Sequence, residues 1–152
     1  MLNYEKAIAD DATMLTQTAN NSKQYWNYSD EQMLLWKEDL KVDADYISNN
    51  IVYKAFNENS FIGFYALRFD MQKKCYEVDH FWLTTDNINK GFGRQIFENI
   101  VSQLKLLDQT KFFLIAEPNA IGFYQKMNGK KIESIESKIF GRTLDIYEFM
   151  VN

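Results

Sequence analysis

Glu77 and Asp79 stand two residues apart in Cys75–Leu83, a run rich in aromatic and β-branched residues that predicts a strand. With a period of two, Cys75, Glu77, Asp79, Phe81 and Leu83 share one face, and Tyr76, Val78, His80 and Trp82 share the other. Two carboxylates on one face disfavour each other's charge. That raises the pKa of one of them and suits it to accept a proton. The plainer reading is a pair of solvated edge-strand acids. His80 falls on the face opposite Glu77 in this pattern and reads as a packed histidine. A covalent route through Cys75 has no adjacent base to activate the thiol.

A second group follows directly. Asn89-Lys90-Gly91-Phe92-Gly93-Arg94 places two glycines and two cations just before a long amphipathic stretch. The first N–H groups of a helix have no partner and carry partial positive charge, and glycine lets an anion approach them closely. The segment therefore has the form of a pyrophosphate cradle. It is neither a Walker loop, lacking the Gly-Lys-Ser/Thr ending, nor a dinucleotide fingerprint, lacking the third glycine. Alone it could equally be a plain strand-to-helix turn.

The elements that must hold these groups can be read along the chain. A strand near Tyr4–Ala9 leads to a helix capped by Asp10 and Asp11 and running to about Thr18. A polar, aromatic loop spans Ser22–Tyr28, and Ser29-Asp30-Glu31 opens a second helix carrying Met33, Leu34 and Trp36. Strands at Ile51–Asn57, Phe61–Phe69 and Cys75–Leu83 form a meander through turns at 57–60 and 71–74. A helix from Gly93 to Leu107 repeats Ile96, Phe97, Ile100, Val101, Leu104 and Leu107 at helical spacing. Phe112–Ala116 reads as a buried strand. Asn119 suits the N-cap of a helix over Ala120–Met127, and Gly129 suits its stop. Strands at Lys131–Ser134 and Leu144–Met150 close the order, joined by a turn containing Gly141. The pattern predicts one α/β (α+β) domain over residues 1–152. Its sheet is mixed and mostly antiparallel, flanked by helices, with a central β-loop-α-β unit.

Composition narrows the function classes. The 152 residues are 46% hydrophobic, enough for a packed core. A net charge of −4 and the absence of a long basic run disfavour nucleic acid as a partner. One cysteine and one histidine leave neither a disulfide nor a zinc-ligand set. No apolar run approaches a membrane span, and the N-terminal residues lack a signal-peptide pattern, so the expected location is cytoplasmic. The acidic balance mildly favours cationic ligands through electrostatic steering.

Two segments resemble the GCN5-related N-acetyltransferase (GNAT) superfamily. The run from Phe81 to Arg94 is similar to its fourth strand and Gln/Arg-x-x-Gly-x-Gly/Ala loop, with Ile88 in the first motif position. Ala120-Ile121-Gly122-Phe123-Tyr124-Gln125-Lys126 is similar to its Ala-x-x-Phe-Tyr-x-Lys helix. Glu117 stands where the family often has Asn, with Asn119 two residues later. The resemblance implies acetyl-coenzyme A as cofactor, with its pyrophosphate on the backbone of Asn89, Lys90, Gly91, Phe92, Gly93 and Arg94. It implies a pantetheine arm paired along Trp82 and Leu83, and a contact from Asn119. It also implies a primary amine acceptor, small molecule or peptide, acetylated by direct attack. Glu77 or Asp79 would serve as base, and Tyr124 would donate the proton to the leaving sulfur. Tyr25, Trp26, Tyr28 and Arg142 would wall the acceptor pocket. Homodimers are common in the superfamily. A catalytically inactive module that binds coenzyme A is the alternative, and an ordinary core tyrosine is the alternative for Tyr124.

Overall fold

The computed structural model describes residues 1–152. One seven-stranded sheet organises the chain. Its strands are β1 (Leu2–Lys6), β2 (Ile51–Asn57), β3 (Ser60–Asp70), β4 (Cys75–Leu83), β5 (Lys111–Ile115), β6 (Lys130–Glu136) and β7 (Thr143–Met150). They lie in the order β1-β2-β3-β4-β5-β7-β6, antiparallel throughout except between β4 and β5. The helices are α1 (Ala12–Gln24), α2 (Asp30–Leu35), α3 (Ala44–Asn49), α4 (Phe92–Leu106) and α5 (Ile121–Lys126).

Both faces of the sheet are covered. Ile96, Phe97, Ile100 and Leu104 of α4 and Tyr124 of α5 bury against one face. Leu15 and Ala19 of α1 and Ile47 of α3 bury against the other, beside Trp36. Burying a large apolar side chain contributes about 1.5–3 kcal/mol, so the amphipathic stripe of α4 fixes that helix firmly. The predicted outer positions behave differently, since Val101 is only half-buried and Leu107 is exposed.

Three local differences from the sequence reading have physical causes. α1 continues through Ser22, Lys23 and Gln24, because Ser22 packs inward at the helix end. α3 lies in a segment to which the sequence pattern assigns no element. Its six residues are too few for a periodic signal, but Asp43 caps it by accepting from the Tyr46 N–H. Asn119 is not an N-cap. Pro118 holds the preceding residue extended, so Glu117 takes that place and accepts from the Asn119 N–H, opening the 3-10 turn Pro118–Ala120 ahead of α5.

The largest correction concerns β4. Ala66 pairs with His80 and Leu67 with Val78, so Asp79 has no register partner on β3. This β-bulge reverses the side-chain alternation along the strand. Tyr76, Val78, Phe81 and Leu83 face the α4 side. Glu77, Asp79, His80 and Trp82 gather around the opposite side, contrary to the alternation that put His80 across the sheet from Glu77.

A second feature of β4 is its approach to β3 at Gly63. A Cβ on Gly63 would lie 2.3 Å from the Trp82 carbonyl oxygen. Gly63→Ala should lower the unfolding free energy by roughly 1–3 kcal/mol through overpacking. Urea denaturation would show this as a lower midpoint at unchanged m-value.

Candidate active site

β4 and β5 pair only through Tyr76–Phe112 and Glu77–Phe113, and then diverge. The opening leaves the β5-facing edge of β4 without a strand partner from Val78 onward. Two cavities occupy the gap. The first, about 530 Å³, is lined by Trp82, Leu83, Ile88, Asn89, Gly91, Gly93, Arg94, Asn119 and Tyr124 among others. The second, about 440 Å³, takes in Glu77, Asp79, His80, Arg68, Tyr46 and Lys23. Trp82 and Glu117 line both.

The first cavity is built around the start of α4. Gly91 is the N-cap, with φ of 84°, and no side chain caps the helix. A Cβ there would meet nothing within 4 Å, so the space above the helix start is open. Asn89 also takes a left-handed conformation, with φ of 65°. The unpaired N–H groups of the first turn therefore face a cleft rather than a capping carboxylate. These residues fit a pyrophosphate through backbone donors, which makes Ile88 in place of Gln or Arg a small loss. Lys90 and Phe92 do not line the cleft: Lys90 is exposed, and Phe92 packs against the core.

Tyr124 projects from α5 into the same cleft and is itself buried. Burial pushes its hydroxyl pKa well up, with the Glu117 charge adding to the shift. The hydroxyl thus keeps its proton through the neutral range. Gly129 allows the following chain to turn close by, since a Cβ there would lie 2.7 Å from the Phe149 ring.

The second cavity holds a charged cluster at its inner end. Arg68 Nη2 donates to Glu77 Oε1 at 2.8 Å and lies 3.2 Å from Asp79 Oδ1. Tyr46 donates to Asp79 Oδ2 at 2.5 Å. Burial pushes the Glu77 carboxyl pKa up; the Arg68 hydrogen bond opposes this and the Asp79 charge reinforces it, for a net rise. Trp82 Nε1–H donates to His80 Nδ1 at 2.9 Å. An indole N–H is only a donor, so the neutral His80 ring carries its proton on Nε2. Burial lowers the His80 pKa. His80 is therefore a neutral donor here and not a base. Arg68 was legible as the cross-strand partner of Glu77 once the β3–β4 register is counted. Tyr46 was not, because α3 was missed.

Glu117 links the two cavities. Its carboxylate accepts from Lys23 Nζ at 2.6 Å, Tyr28 Oη at 2.7 Å and Asn119 Nδ2 at 2.7 Å. Burial pushes its pKa up, but the Lys23 ammonium and the hydrogen bonds from Tyr28 and Asn119 more than offset this and hold it below the ordinary value. The residues expected to wall an acceptor pocket are dispersed around this hub. Trp26 lines the first cavity. Tyr28 sits behind Glu117, and Arg142 Nη1 donates to Tyr28 Oη at 3.2 Å. Tyr25 is exposed, and neither Tyr25, Tyr28 nor Arg142 lines either cavity.

Glu117→Gln would leave Lys23 as a buried charge without its counter-ion. Its cost should be about 3 kcal/mol at neutral pH. Because the folded pKa of Glu117 is depressed, its contribution is full above the unfolded carboxyl pKa and is lost as pH falls through the folded value. The stability gap between wild type and variant should accordingly narrow on acidification, as followed by denaturant titrations across that range.

Comparison with known proteins bears on the whole arrangement. The model of the acetyltransferase (GNAT) family matches residues 13–129. No curated protein matches the chain in sequence. Among solved structures, the PaiA N-acetyltransferase from Thermoplasma acidophilum, in complex with coenzyme A, superposes with a TM-score of 0.74 at 20% identity over 99% of both chains. A GCN5-related N-acetyltransferase from Rhodopseudomonas palustris gives a TM-score of 0.78 at 16% identity, covering 97% of this chain and 94% of that one. The ribosomal-protein-S18-alanine N-acetyltransferase from Escherichia coli gives 0.72 at 11% identity, covering 99% and 94%. These likenesses concern the fold, and the family match spans most of the chain with both cavities' main elements inside it. The chain belongs to the acetyltransferase (GNAT) family, whose members use acetyl-coenzyme A.

Proposed function

We propose that this protein is an acetyl-coenzyme A-dependent N-acetyltransferase that passes an acetyl group directly to a primary amine. The observation that carries this reading is the meeting of the two cavities at Trp82 and Glu117, with Tyr124 on one side and the Glu77–Asp79 pair on the other. Acetyl-coenzyme A supplies the activated thioester. The PaiA N-acetyltransferase holds coenzyme A in a related fold, and the uncapped α4 start with Gly91 and Gly93 offers this chain the backbone donors for its pyrophosphate. The unpaired edge of Trp82 and Leu83 offers main-chain groups for the pantetheine arm.

The protein's own groups divide the proton work. An alkyl amine arrives protonated, with a pKa of about 10.4 by analogy with lysine. Both Asp79 oxygens are engaged, one by Tyr46 and one by Arg68. Glu77 has one engaged oxygen, Oε1, and its Oε2 accepts no hydrogen bond. Glu77 is therefore the proton acceptor, directly or over one water, and its raised pKa brings it closer to neutral pH. Asp79, held by Tyr46 and Arg68, stands beside it and helps draw the ammonium in. Tyr124 holds a proton at Oη beside the cleft, available to the departing thiolate. Asn119, tied to Glu117, positions the entrance of α5.

Calorimetry with acetyl-coenzyme A, followed by coenzyme A release with a panel of amines, tests the reading. Tyr124→Phe should reduce kcat roughly 100-fold while leaving cofactor affinity within about twofold. Glu77→Gln should also reduce kcat and remove the rise of rate with pH that titration of Glu77 produces. Cofactor binding without turnover of any amine would leave a binding module. Absence of cofactor binding would remove both readings.

A further inference from the structure

The acceptor cavity has a charge pattern and an apolar part of its wall that together select a class of substrate. Six carboxylates and four cations line it. Every cation is engaged: Lys23 with Glu117, Arg68 with both Glu77 and Asp79, Lys138 with Asp39, and Lys41 with Asp43. Arg68 serves two carboxylates with one charge. Glu38 and Glu136, flanking the Lys138–Asp39 pair at the rim, have neither a side-chain hydrogen bond nor an ion-pair partner. No cation is left for a carboxylate or phosphate on the acceptor, while negative charge is in excess at both ends.

The apolar part of the lining comes from Trp36, Leu40, Trp82, Ile115 and Leu144. A chain of methylenes is at home there. A hydroxyl-rich amino sugar would set polar groups against these apolar side chains. The cavity already seats one ammonium by the same means: Lys23 Nζ lies 2.6 Å from Glu117 Oε2 and 4.2 Å from the Trp36 ring centroid. An independent feature marks the inner end as a place that receives something polar. His80 is 2% exposed, lines the cavity, and its Nε2–H has no partner in the chain. That nitrogen lies 3.9 Å from Asp79 Oδ2, so a small shift on ligand binding could supply the missing acceptor. The mouth is restricted on one side by Lys138, which joins the β6–β7 turn to Asp39 and to the Leu35 carbonyl. A volume of about 440 Å³ is the size of a small-molecule site.

We propose that the acceptor is a linear aliphatic diamine or polyamine, with one ammonium directed to Glu77 and Asp79 and the next to Glu38 and Glu136. The proposal rests on the transferase reading above and adds what the cavity selects. The ammonium at the inner end loses one proton to Glu77, the neutral amine attacks the thioester carbonyl carbon, and the second proton leaves the nitrogen to solvent as the amide forms, balancing the proton that Tyr124 gives the sulfur and regains. The new C–N bond forms as the C–S bond breaks, the sulfur keeps the electron pair, and Tyr124 protonates it. The product is a monoacetylated amine that keeps its second charge.

The test is coenzyme A release with cadaverine, a longer polyamine, pentylamine, a free amino acid and an aminoglycoside. Cadaverine should exceed pentylamine in kcat/KM by roughly tenfold or more, and the margin should shrink as salt is added. The double variant Glu38→Gln, Glu136→Gln should raise the KM for cadaverine roughly threefold to tenfold and reduce the preference for diamine over monoamine. Equal use of pentylamine, a preference for the amino acid or aminoglycoside, or an unchanged preference in the double variant would overturn the proposal while leaving the transferase reading intact. A panel in which no amine is acetylated would overturn both.

Discussion

Asp79 has no partner on β3, and the chemistry of the acceptor side depends on that one unmatched residue. A regular strand would send Glu77 and Asp79 to one side and His80 and Trp82 to the other. The bulge instead turns His80 and Trp82 toward the two acids without disturbing Tyr76 and Val78 in the core behind them. It also adds local twist, and β4 parts from β5 just before it, after Glu77. The opening between the strands then gives access to backbone groups on one side and to carboxylates on the other. Neighbouring elements reinforce the distortion. Tyr46 from α3 and Arg68 from β3 both bind Asp79, and Trp82 holds the His80 ring by its second nitrogen.

Glu117 provides the complementary constraint on the β5 side. A buried carboxylate and a buried ammonium each carry a desolvation cost of several kcal/mol, which their attraction recovers only if further hydrogen bonds are made. Here Tyr28 and Asn119 make them, and Arg142 donates in turn to Tyr28. α1, the loop after it, β5, α5 and the β6–β7 turn are thereby joined at one point. The contribution is one of geometry more than of stability. It fixes the wall shared by the two cavities without placing a free cation in either.

The sequence carried the fold well where periodicity was long. The apolar repeat of α4 and the β-branched and aromatic runs of β2, β3 and β4, bounded by turns, predicted those elements within a residue or two at their ends. The turn that opens α4 at Asn89–Gly91 was legible because Gly91 reports a left-handed backbone directly, and the helix around Tyr124 because its residue types are unusual together. Other features depend on distance in space rather than in sequence. A bulge is a mismatch between two strands, so nothing within Cys75–Leu83 announces it. α3 is too short to show a period. Lys23 and Glu117 are 94 residues apart and meet only because α1 crosses β4 beside the end of β5. Asn119 was read as a cap from its type, whereas Pro118 makes the residue before it the cap.

The placement of the tryptophans has an optical consequence. The chain has three, and each one lines a cavity: Trp26 the cleft at α4, Trp36 the carboxylate-lined space, and Trp82 both. None is spent in a remote part of the core. The tryptophan emission of this protein, excited selectively near the red edge, therefore originates at the two cavities, with Trp36 beside the Lys23 ammonium and Trp82 bonded to His80. Light from the unlabelled chain is a local signal of the site.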